Sequence, residues 1–226
     1  DSAIHLMLNS HMSTKVAIEK SANSILFASK KIYEHLSKSD FGRLIYCGAG
    51  TSARIGVQDG VELNPTFGWP LNRLDFIIAG GVESLTASIE NAEDDEVDAK
   101  NQIYQKKIKA EDVVISLAAS GNTPFSCKVI EEANQRDALT IAISNNPNGL
   151  ILSESKIKII LDTGAEVIAG STRLKAGTAQ KICLNIISTM VMIMFGRIEK
   201  GQMSHLIANN KKLIDRKLRI QKLLKT

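Results

Sequence analysis

The chain contains 226 residues, of which 44% are apolar and 23% are charged. These proportions are ordinary for a globular protein and exclude intrinsic disorder, collagen and a long coiled coil. With ~150 residues per domain as a guide, we expect a single domain with helical extensions. The longest nearly apolar run, 182–195, is shorter than the ~20 residues of a membrane-spanning helix, and no basic-then-apolar leader opens the chain.

The net charge of +4 is unevenly distributed along the chain. Residues 211–225 hold seven basic residues and one acid, a local charge of +6, so the other residues sum to −2. Aromatic residues make up only 4% of the chain. Nucleic-acid binding needs basic residues over a folded face, with aromatics for single strands, so the pattern favours a solvated terminal helix.

The cysteines argue against a disulfide framework. Cys47, Cys127 and Cys183 are widely spaced, odd in number and without a CxxC pair, and the four histidines lack metal-binding spacing. We therefore expect reduced thiols, a cytoplasmic location and no metal.

Short apolar segments alternate with amphipathic ones along the chain, which predicts strands and helices in turn. Five predicted strands are continuous runs rich in Ile and Val, as is typical of strands buried on both faces of a parallel sheet: 43–47, 74–79, 112–117, 138–144 and 156–161. The predicted helices cover 12–38, 52–63, 82–91, 95–107, 124–136, 173–195 and 202–225.

This alternation predicts an α/β fold of three layers, α-β-α, with a five-stranded parallel sheet between long flanking helices. No linker or repeat divides the chain, so we expect one domain. It would have a helical arm over 1–41, a sheet core over 42–200 and a C-terminal helix over 201–226. That last helix carries an apolar stripe that needs a partner in the same domain or in a second subunit: Met203, Leu206, Ile207, Leu213 and Ile214.

Two predicted strand ends are rich in glycine and hydroxyl residues. One is 48–53, and the other is 120–123. Ligands of open α/β sheets bind beyond the carboxyl ends of the strands, and helix N-termini there favour anions. Two such loops in one sheet predict a site for a phosphorylated small molecule, formed by Gly50, Thr51, Ser52, Ser120, Gly121, Asn122 and Thr123.

These loops have two other interpretations. Gly48-x-Gly50-x-x-Ala53 loosely fits the dinucleotide fingerprint, but the first acid after the second strand is Glu83, so a nicotinamide cofactor is disfavoured. The other interpretation of each loop is a glycine turn with Ser or Thr caps and no ligand.

Two carboxylates and one basic segment are further candidates. Glu62 ends a predicted helix, and Glu93 lies in the acidic run 93–96. Paired carboxylates can divide acid and base roles, although each alone is typical of a solvated surface acid. Segment 170–181 is dense in small, hydroxyl and basic residues, so Arg173 or Lys175 could reach an anion; an ordinary capped helix is the alternative.

Several of these strings together resemble N-acetylmuramic acid 6-phosphate etherases, a family of the sugar isomerase (SIS) superfamily. The resemblance runs from about residue 12 to about residue 220, and its most specific string is Gly-Ser-Thr-Arg-Leu-Lys-Ala-Gly-Thr-Ala-Gln-Lys at 170–181. The other strings are 44–54, Glu62, 65–68, 78–81, 92–95 and 118–124.

The resemblance implies a three-layer SIS fold in a cytoplasmic homodimer of cell-wall sugar recovery, with no metal, no organic cofactor and no nucleic-acid or membrane partner. It implies cleavage of the D-lactyl ether of N-acetylmuramic acid 6-phosphate to N-acetylglucosamine 6-phosphate and D-lactate. Glu62 and Glu93 would be the acid and the base. Substrate contacts would come from Gly50, Thr51, Ser52, Ser120, Gly121, Asn122, Thr123, Ser171 and Lys175.

The surroundings of the two glutamates suggest which does what. Glu62 lies in a mostly apolar stretch, so we expect it to be partly buried and to keep a proton, as an acid must. Glu93 is expected to be more solvated and to act as the base. Two other functions share this fold: a non-catalytic sugar-phosphate regulator and an aldose–ketose isomerase. The long helix 173–195 is expected in the dimer interface because it is too apolar for one buried face.

Overall fold

The computed structural model describes residues 1–208 and 211–225; residues 209, 210 and 226, which belong to the predicted C-terminal helix, lie outside it. Its five strands are β1 (Leu44–Gly48), β2 (Leu74–Ile78), β3 (Val113–Ala118), β4 (Leu139–Ser144) and β5 (Ile157–Ile160). They form one parallel sheet in the order β2-β1-β3-β4-β5. The predicted five-stranded parallel sheet is confirmed, with every strand bound within one residue of the prediction.

Helices connect the strands and flank the sheet. They are α1 (Ser2–Lys20), α2 (Ala22–Leu36), α3 (Gly50–Val61), α4 (Leu63–Phe67), α5 (Glu96–Gln105), α6 (Pro124–Asn134), α7 (Leu150–Glu154), α8 (Lys175–Met194) and α9 (Lys211–Lys225). Short 3₁₀-helices lie at Leu71–Arg73, Val82–Leu85 and Ala92–Asp94. The five-residue helices α4 and α7 are absent from the sequence prediction because such short segments show no helical period.

Different hydrophobic clusters cover the two faces of the sheet, because successive side chains of a strand point in opposite directions. Leu44 and Tyr46 of β1 belong to the cluster that includes α2 and α8. Ile45 and Cys47 belong to the cluster that includes α5 and α6. β1 is buried along its whole length, which explains its unbroken apolar sequence. The result is the predicted α-β-α layering.

The N-terminal helical region differs from the prediction. The spacing predicts one helix over 12–38, whereas α1 and α2 are separate helices that meet at Ser21. The hydroxyl of Ser21 donates a hydrogen bond to the carbonyl of Ile160 at the end of β5, which fixes the break against the sheet. Ile25 and Ile32 of α2 are part of the core, so this helix belongs to a layer of the fold.

The predicted helix over 82–91 is wrong. Only Val82–Leu85 is helical, as a 3₁₀-helix. The guanidinium of Arg54 donates hydrogen bonds to the carbonyls of Ser84, Leu85 and Ala87. An α-helix would use these same carbonyls for its own i to i+4 bonds, so the arginine replaces the helix as their partner.

The predicted helix over 202–225 begins nine residues late, at Lys211. The preceding segment packs irregularly: the N–H of Ile207 donates to the carbonyl of Pro65, and Leu206 is buried. Met203, Leu206 and Ile207 therefore do not lie on the apolar stripe of the last helix. Ile214 in α9 is half-exposed, and Ile220 of the same helix is buried.

α8 is the longest helix of the described residues. By length and composition alone it could cross a membrane. Eleven of its twenty residues are buried, among them Ala179, Cys183 and Ile187, which pack in the core. This burial is that of a core helix in a layered fold.

Candidate functional site

The two glycine-rich loops lie side by side where the sheet reverses its strand order. β1 pairs with both β2 and β3, and Gly48 at the end of β1 is in register with Leu117 of β3. α3 leaves β1 toward one face of the sheet, whereas α6 leaves β3 toward the other. In open α/β sheets this switch point is where ligands bind. The loops therefore stand where the sequence places a ligand site.

The first loop presents donors that the fold does not use. Gly50 begins α3 with φ of +52°, a conformation that glycine adopts without strain. The hydroxyls of Thr51 and Ser52 have no hydrogen-bond partner among the described residues. The first N–H groups of α3 are likewise left without carbonyl partners inside the helix. This arrangement suits a phosphate, which accepts several hydrogen bonds at once.

The second loop divides into a structural part and a free part. The Ser120 side chain accepts the N–H of Asn122 at 3.2 Å, and Oδ1 of Asn122 accepts the N–H of Leu150 at 2.9 Å. The side-chain oxygen of Asn122 is therefore already bonded to the first residue of α7. Thr123 is the N-cap of α6, and its hydroxyl makes no capping hydrogen bond. Ser120 is exposed at the rim, while Gly121 is buried.

Gly121 is required by close packing. Its φ is +74°, and a Cβ there would lie 2.4 Å from Cα of Gly149 and 2.7 Å from Oγ of Ser144. Gly121→Ala is expected to lower the free energy of unfolding by about 2–4 kcal/mol, from overpacking plus left-handed strain. Gly164→Ala is the matched control, because Gly164 has φ of +70° but nothing within 4 Å. Urea unfolding of both variants measures the difference; equal losses would show that the approach to Gly149 is unimportant.

A cleft of about 340 Å³ opens beside the first loop. Gly50 and Thr51 line it on one side, and Glu93 lines it on another. Glu93 is exposed and belongs to the 3₁₀-helix Ala92–Asp94, which follows Asn91 in a left-handed conformation (φ of +58°). The structure therefore brings Gly50, Thr51 and Glu93 together. The other predicted substrate contacts are not among the residues that line this cleft: Ser52, Ser120, Gly121, Asn122, Thr123, Ser171 and Lys175.

Arg54, which is not among the predicted site residues, also lines this cleft. It lies four residues after Gly50 on α3, hence on the same helical face. Its Nε and Nη2 bind the backbone of 84–87, the segment that walls the cleft. The feature of the sequence that points to Arg54 is its position one helical turn after the glycine-rich loop at Gly50.

Glu62 lies far from Glu93 within one chain. α3 runs from the loop at Gly50 to Val61, and its twelve residues span about 18 Å. Glu62 follows that far end, near the start of β2, whereas Glu93 follows the carboxyl end of β2. Glu62 is exposed, so the expected partial burial is wrong for the single chain. The two glutamates do not converge within one chain.

The start of α8 packs against the first loop. A Cβ at Gly177 would lie 3.4 Å from Cγ2 of Thr51, so this turn and the loop are in contact. The side chain of Glu166 accepts the N–H groups of Lys175 and Ala176 at 3.3 and 2.9 Å. Lys175 is buried, and its ammonium has no hydrogen-bond or ion-pair partner among the described residues. Ser171 is half-buried in the turn before this helix.

A buried carboxylate that is not among the predicted site residues fixes α3 in place. Asp59 accepts the hydroxyl of Tyr46 at 2.7 Å, the amide of Asn185 at 2.7 Å and the hydroxyl of Ser188 at 3.1 Å. Burial, and after it the charge of Asp59, raise the pKa of Tyr46 well above its usual value. These bonds hold α3 against β1 and α8, which sets the position of Glu62 three residues later.

The cysteines do not supply a nucleophile. Burial raises the pKa of the Cys47 thiol to about 12 and that of Cys127 to about 11, so neither is a thiolate near neutral pH. Burial also raises the pKa of Cys183. Over residues 1–208 and 211–225, no three His, Cys, Asp or Glu side chains are placed to hold a metal ion.

Residues 27–134 match the family model of the glucokinase regulatory protein N-terminal SIS domain, and residues 96–195 match that of the SIS domain. An N-acetylmuramic acid 6-phosphate etherase of Clostridium acetobutylicum is 44% identical over 212 residues, covering 94% of this chain and 70% of the relative. The etherase of Deinococcus radiodurans is 39% identical over 220 residues, covering 97% of this chain and 72% of the relative.

Solved structures agree on the fold. A phosphoheptose isomerase from Francisella tularensis superimposes with a TM-score of 0.61 at 16% identity, covering 85% of this chain and 96% of the other. At that identity the likeness shows the fold alone, and it confirms the predicted SIS fold. The etherases, in contrast, are similar to this chain over nearly all its length. The chain therefore belongs to the N-acetylmuramic acid 6-phosphate etherase family.

Proposed function

We propose that the protein cleaves the D-lactyl ether of N-acetylmuramic acid 6-phosphate, giving N-acetylglucosamine 6-phosphate and D-lactate. The observation that carries this proposal is the shared cleft, which combines Gly50 and Thr51 of the first loop with the carboxylate of Glu93. The loop is suited to the 6-phosphate and the carboxylate to proton transfer. Membership of the etherase family supports the choice of substrate.

The 6-phosphate would bind at the switch point between β1 and β3. Thr51, Ser52 and Thr123 have hydroxyls without partners among the described residues, and α3 adds its free N–H groups. Lys175 is close enough in the fold to add a charge, because the first turn of α8 touches Thr51. Holding the phosphate in this way orients carbons 2 and 3 of the sugar toward Glu93.

The reaction would be an elimination followed by hydration. In the open-chain sugar the aldehyde acidifies the proton on carbon 2, and the Glu93 carboxylate removes it. The carbon–oxygen bond at carbon 3 then breaks, and Glu62 as an acid gives a proton to the departing lactate oxygen. Water adds to the unsaturated aldehyde, with its hydroxyl on carbon 3 and a proton on carbon 2. Each positioned proton transfer is worth ~10²–10⁴-fold in rate.

Glu62 can take part only if a second copy of the chain supplies it. Within one chain the length of α3 separates it from the cleft by about 18 Å, and it is exposed. We propose a homodimer in which Glu62 of one protomer enters the cleft of its partner. Coverage by the partner would also give Glu62 the partial burial that is expected of the acid.

The apolar surface of α8 supports a dimer. Ile182 and Ile186 are each 36% exposed and Ile193 is 45% exposed, which is high for isoleucine. Ile186 and Leu26 line an almost wholly apolar groove of about 150 Å³ between α2 and α8. A second copy packed on this surface would remove it from water, in line with the predicted interface at 173–195.

A cytoplasmic location and a role in recovery of cell-wall sugar complete the proposal. The three cysteines are free thiols, which suits a reducing compartment.

Incubation with N-acetylmuramic acid 6-phosphate and an assay for D-lactate tests the proposed function. We expect D-lactate and N-acetylglucosamine 6-phosphate in equal amounts. Unphosphorylated N-acetylmuramic acid is the control, and it should react far more slowly because the loop contacts are lost. Binding of the sugar phosphate without lactate release would instead indicate a regulatory protein, and aldose–ketose interconversion would indicate an isomerase.

A further inference from the structure

Arg54 is the one cation among the residues that line the cleft of Gly50, Thr51 and Glu93. The other ionisable residues that line this cleft are the acids Glu90 and Glu93. A cationic ligand in this cleft would be repelled by the positive charge of Arg54. The unused donors of the loop instead indicate an anion. Its positive charge therefore suits an anionic ligand group.

The guanidinium is held in one orientation by the protein. Its Nε donates to the carbonyl of Leu85 at 3.0 Å, and its Nη2 donates to the carbonyls of Ser84 and Ala87 at 2.8 and 3.3 Å. These bonds leave the two N–H groups of Nη1 without a partner among the described residues. A preorganised fork with free donors loses little entropy when it binds an oxyanion.

The proposed substrate has a second anionic group to match. Besides the 6-phosphate it carries the carboxylate of the lactyl group on carbon 3. Arg54 lies one helical turn, about 6 Å, beyond Gly50 on α3, so one molecule can contact both places. The loop at Gly50 and Lys175 can hold the phosphate, which leaves Arg54, the one cation that lines the cleft, for the other anion.

We propose that Arg54 binds the lactyl carboxylate and so selects carboxylate-bearing ethers of the sugar phosphate. This inference rests on the proposed function. The contact would also align the carbon–oxygen bond at carbon 3 with Glu93 across the same cleft. A sugar phosphate with a free 3-hydroxyl, including the product, would leave the Nη1 donors without this partner and bind more weakly.

The test couples a change in the substrate to a change in the protein. The wild type and Arg54→Gln are compared on N-acetylmuramic acid 6-phosphate and on its lactyl carboxamide. We expect the wild type to prefer the carboxylate by about 10- to 100-fold in kcat/KM, the range of a charge-assisted hydrogen bond, and Arg54→Gln to lose most of this preference. Arg54→Lys should keep part of it, because the charge remains while the fork is lost.

Two controls separate this role from a structural one. Lys38→Gln removes a charge from an exposed site before β1, at the opposite edge of the sheet, and should leave the preference unchanged. If Arg54 only tethers 84–87, Arg54→Gln will slow both substrates equally and keep the preference, and the proposal is overturned.

The binding preference keeps this inference separate from the proposed function. Dissociation constants for the two compounds, measured with Glu93→Gln and with Glu93→Gln/Arg54→Gln, should show the same loss of carboxylate preference. If the wild type releases no lactate, the proposed function fails, and these constants still decide the role of Arg54.

Discussion

Glu93→Gln is expected to abolish both the release of D-lactate and the exchange of the carbon-2 proton with solvent, whereas Glu62→Gln is expected to abolish release alone. Each loss should be at least ~10²-fold, as for removal of a positioned proton-transfer group. The reason is the order of steps: the base acts before the carbon–oxygen bond breaks, and the acid acts as it breaks. An amide has the size of the carboxyl group but can neither accept nor supply this proton.

Release is measured by an enzymatic assay for D-lactate, and exchange by loss of the carbon-2 proton signal in deuterium oxide. Asp94→Asn is the matched control, because Asp94 shares the 3₁₀-helix of Glu93 but does not line the cleft. It should retain near wild-type rates. Neither glutamate variant alters the first loop, so binding of the sugar phosphate should persist. Lactate release at the wild-type rate by either variant would remove that glutamate from the mechanism.

The strands and the switch-point loops could be predicted from the sequence because each has a local signal. A strand such as β3, buried on both faces, needs an unbroken apolar run. A loop such as the one at Gly50 needs a residue that tolerates positive φ, followed by small donors. Such features depend on neighbouring residues, so a pattern of a few letters identifies them.

Features fixed by distant partners had no such signal. The segment 82–91 has helical spacing, but Arg54, some thirty residues earlier, takes its carbonyls. Nothing in the sequence marks Asp59, because its partners Tyr46, Asn185 and Ser188 come from β1 and α8 and allow it to be buried. Only the folded chain brings these groups together.

The separation of the two glutamates was open to simple arithmetic. A helix that begins at the carboxyl end of β1 must return along the sheet before β2 can run parallel to β1. Residues at its two ends therefore lie at opposite ends of the strands, one at the carboxyl ends and one at the amino ends. Because Gly50 and Glu62 lie at the two ends of α3, the sequence already implied that Glu62 lies away from the carboxyl ends of the strands, where Glu93 lies. A site that uses both glutamates therefore requires a second chain.

Mixed dimers of two inactive variants are expected to regain activity. If Glu62 of one protomer serves the cleft of its partner, a dimer of Glu62→Gln with Glu93→Gln contains one site with both glutamates and one with neither. Equal co-expression gives half of the dimers this composition, so activity should recover to about a quarter of the wild type. Differently tagged chains allow the mixed dimers to be purified, where recovery should reach about half.

The control for this experiment pairs Glu62→Gln with the double variant Glu62→Gln/Glu93→Gln, which has no Glu62 in any site and should stay inactive. Light scattering should give the mass of two chains in each sample. Purified mixed dimers without lactate release would contradict the shared site. They would show that the partner's copy of Glu62 does not serve a cleft from which the chain's own Glu62 is about 18 Å away along α3. Recovery, in contrast, requires a Glu62 from outside the chain that carries Glu93. The activity of the mixed dimer therefore shows whether Glu62 of one protomer acts together with Glu93 of the other.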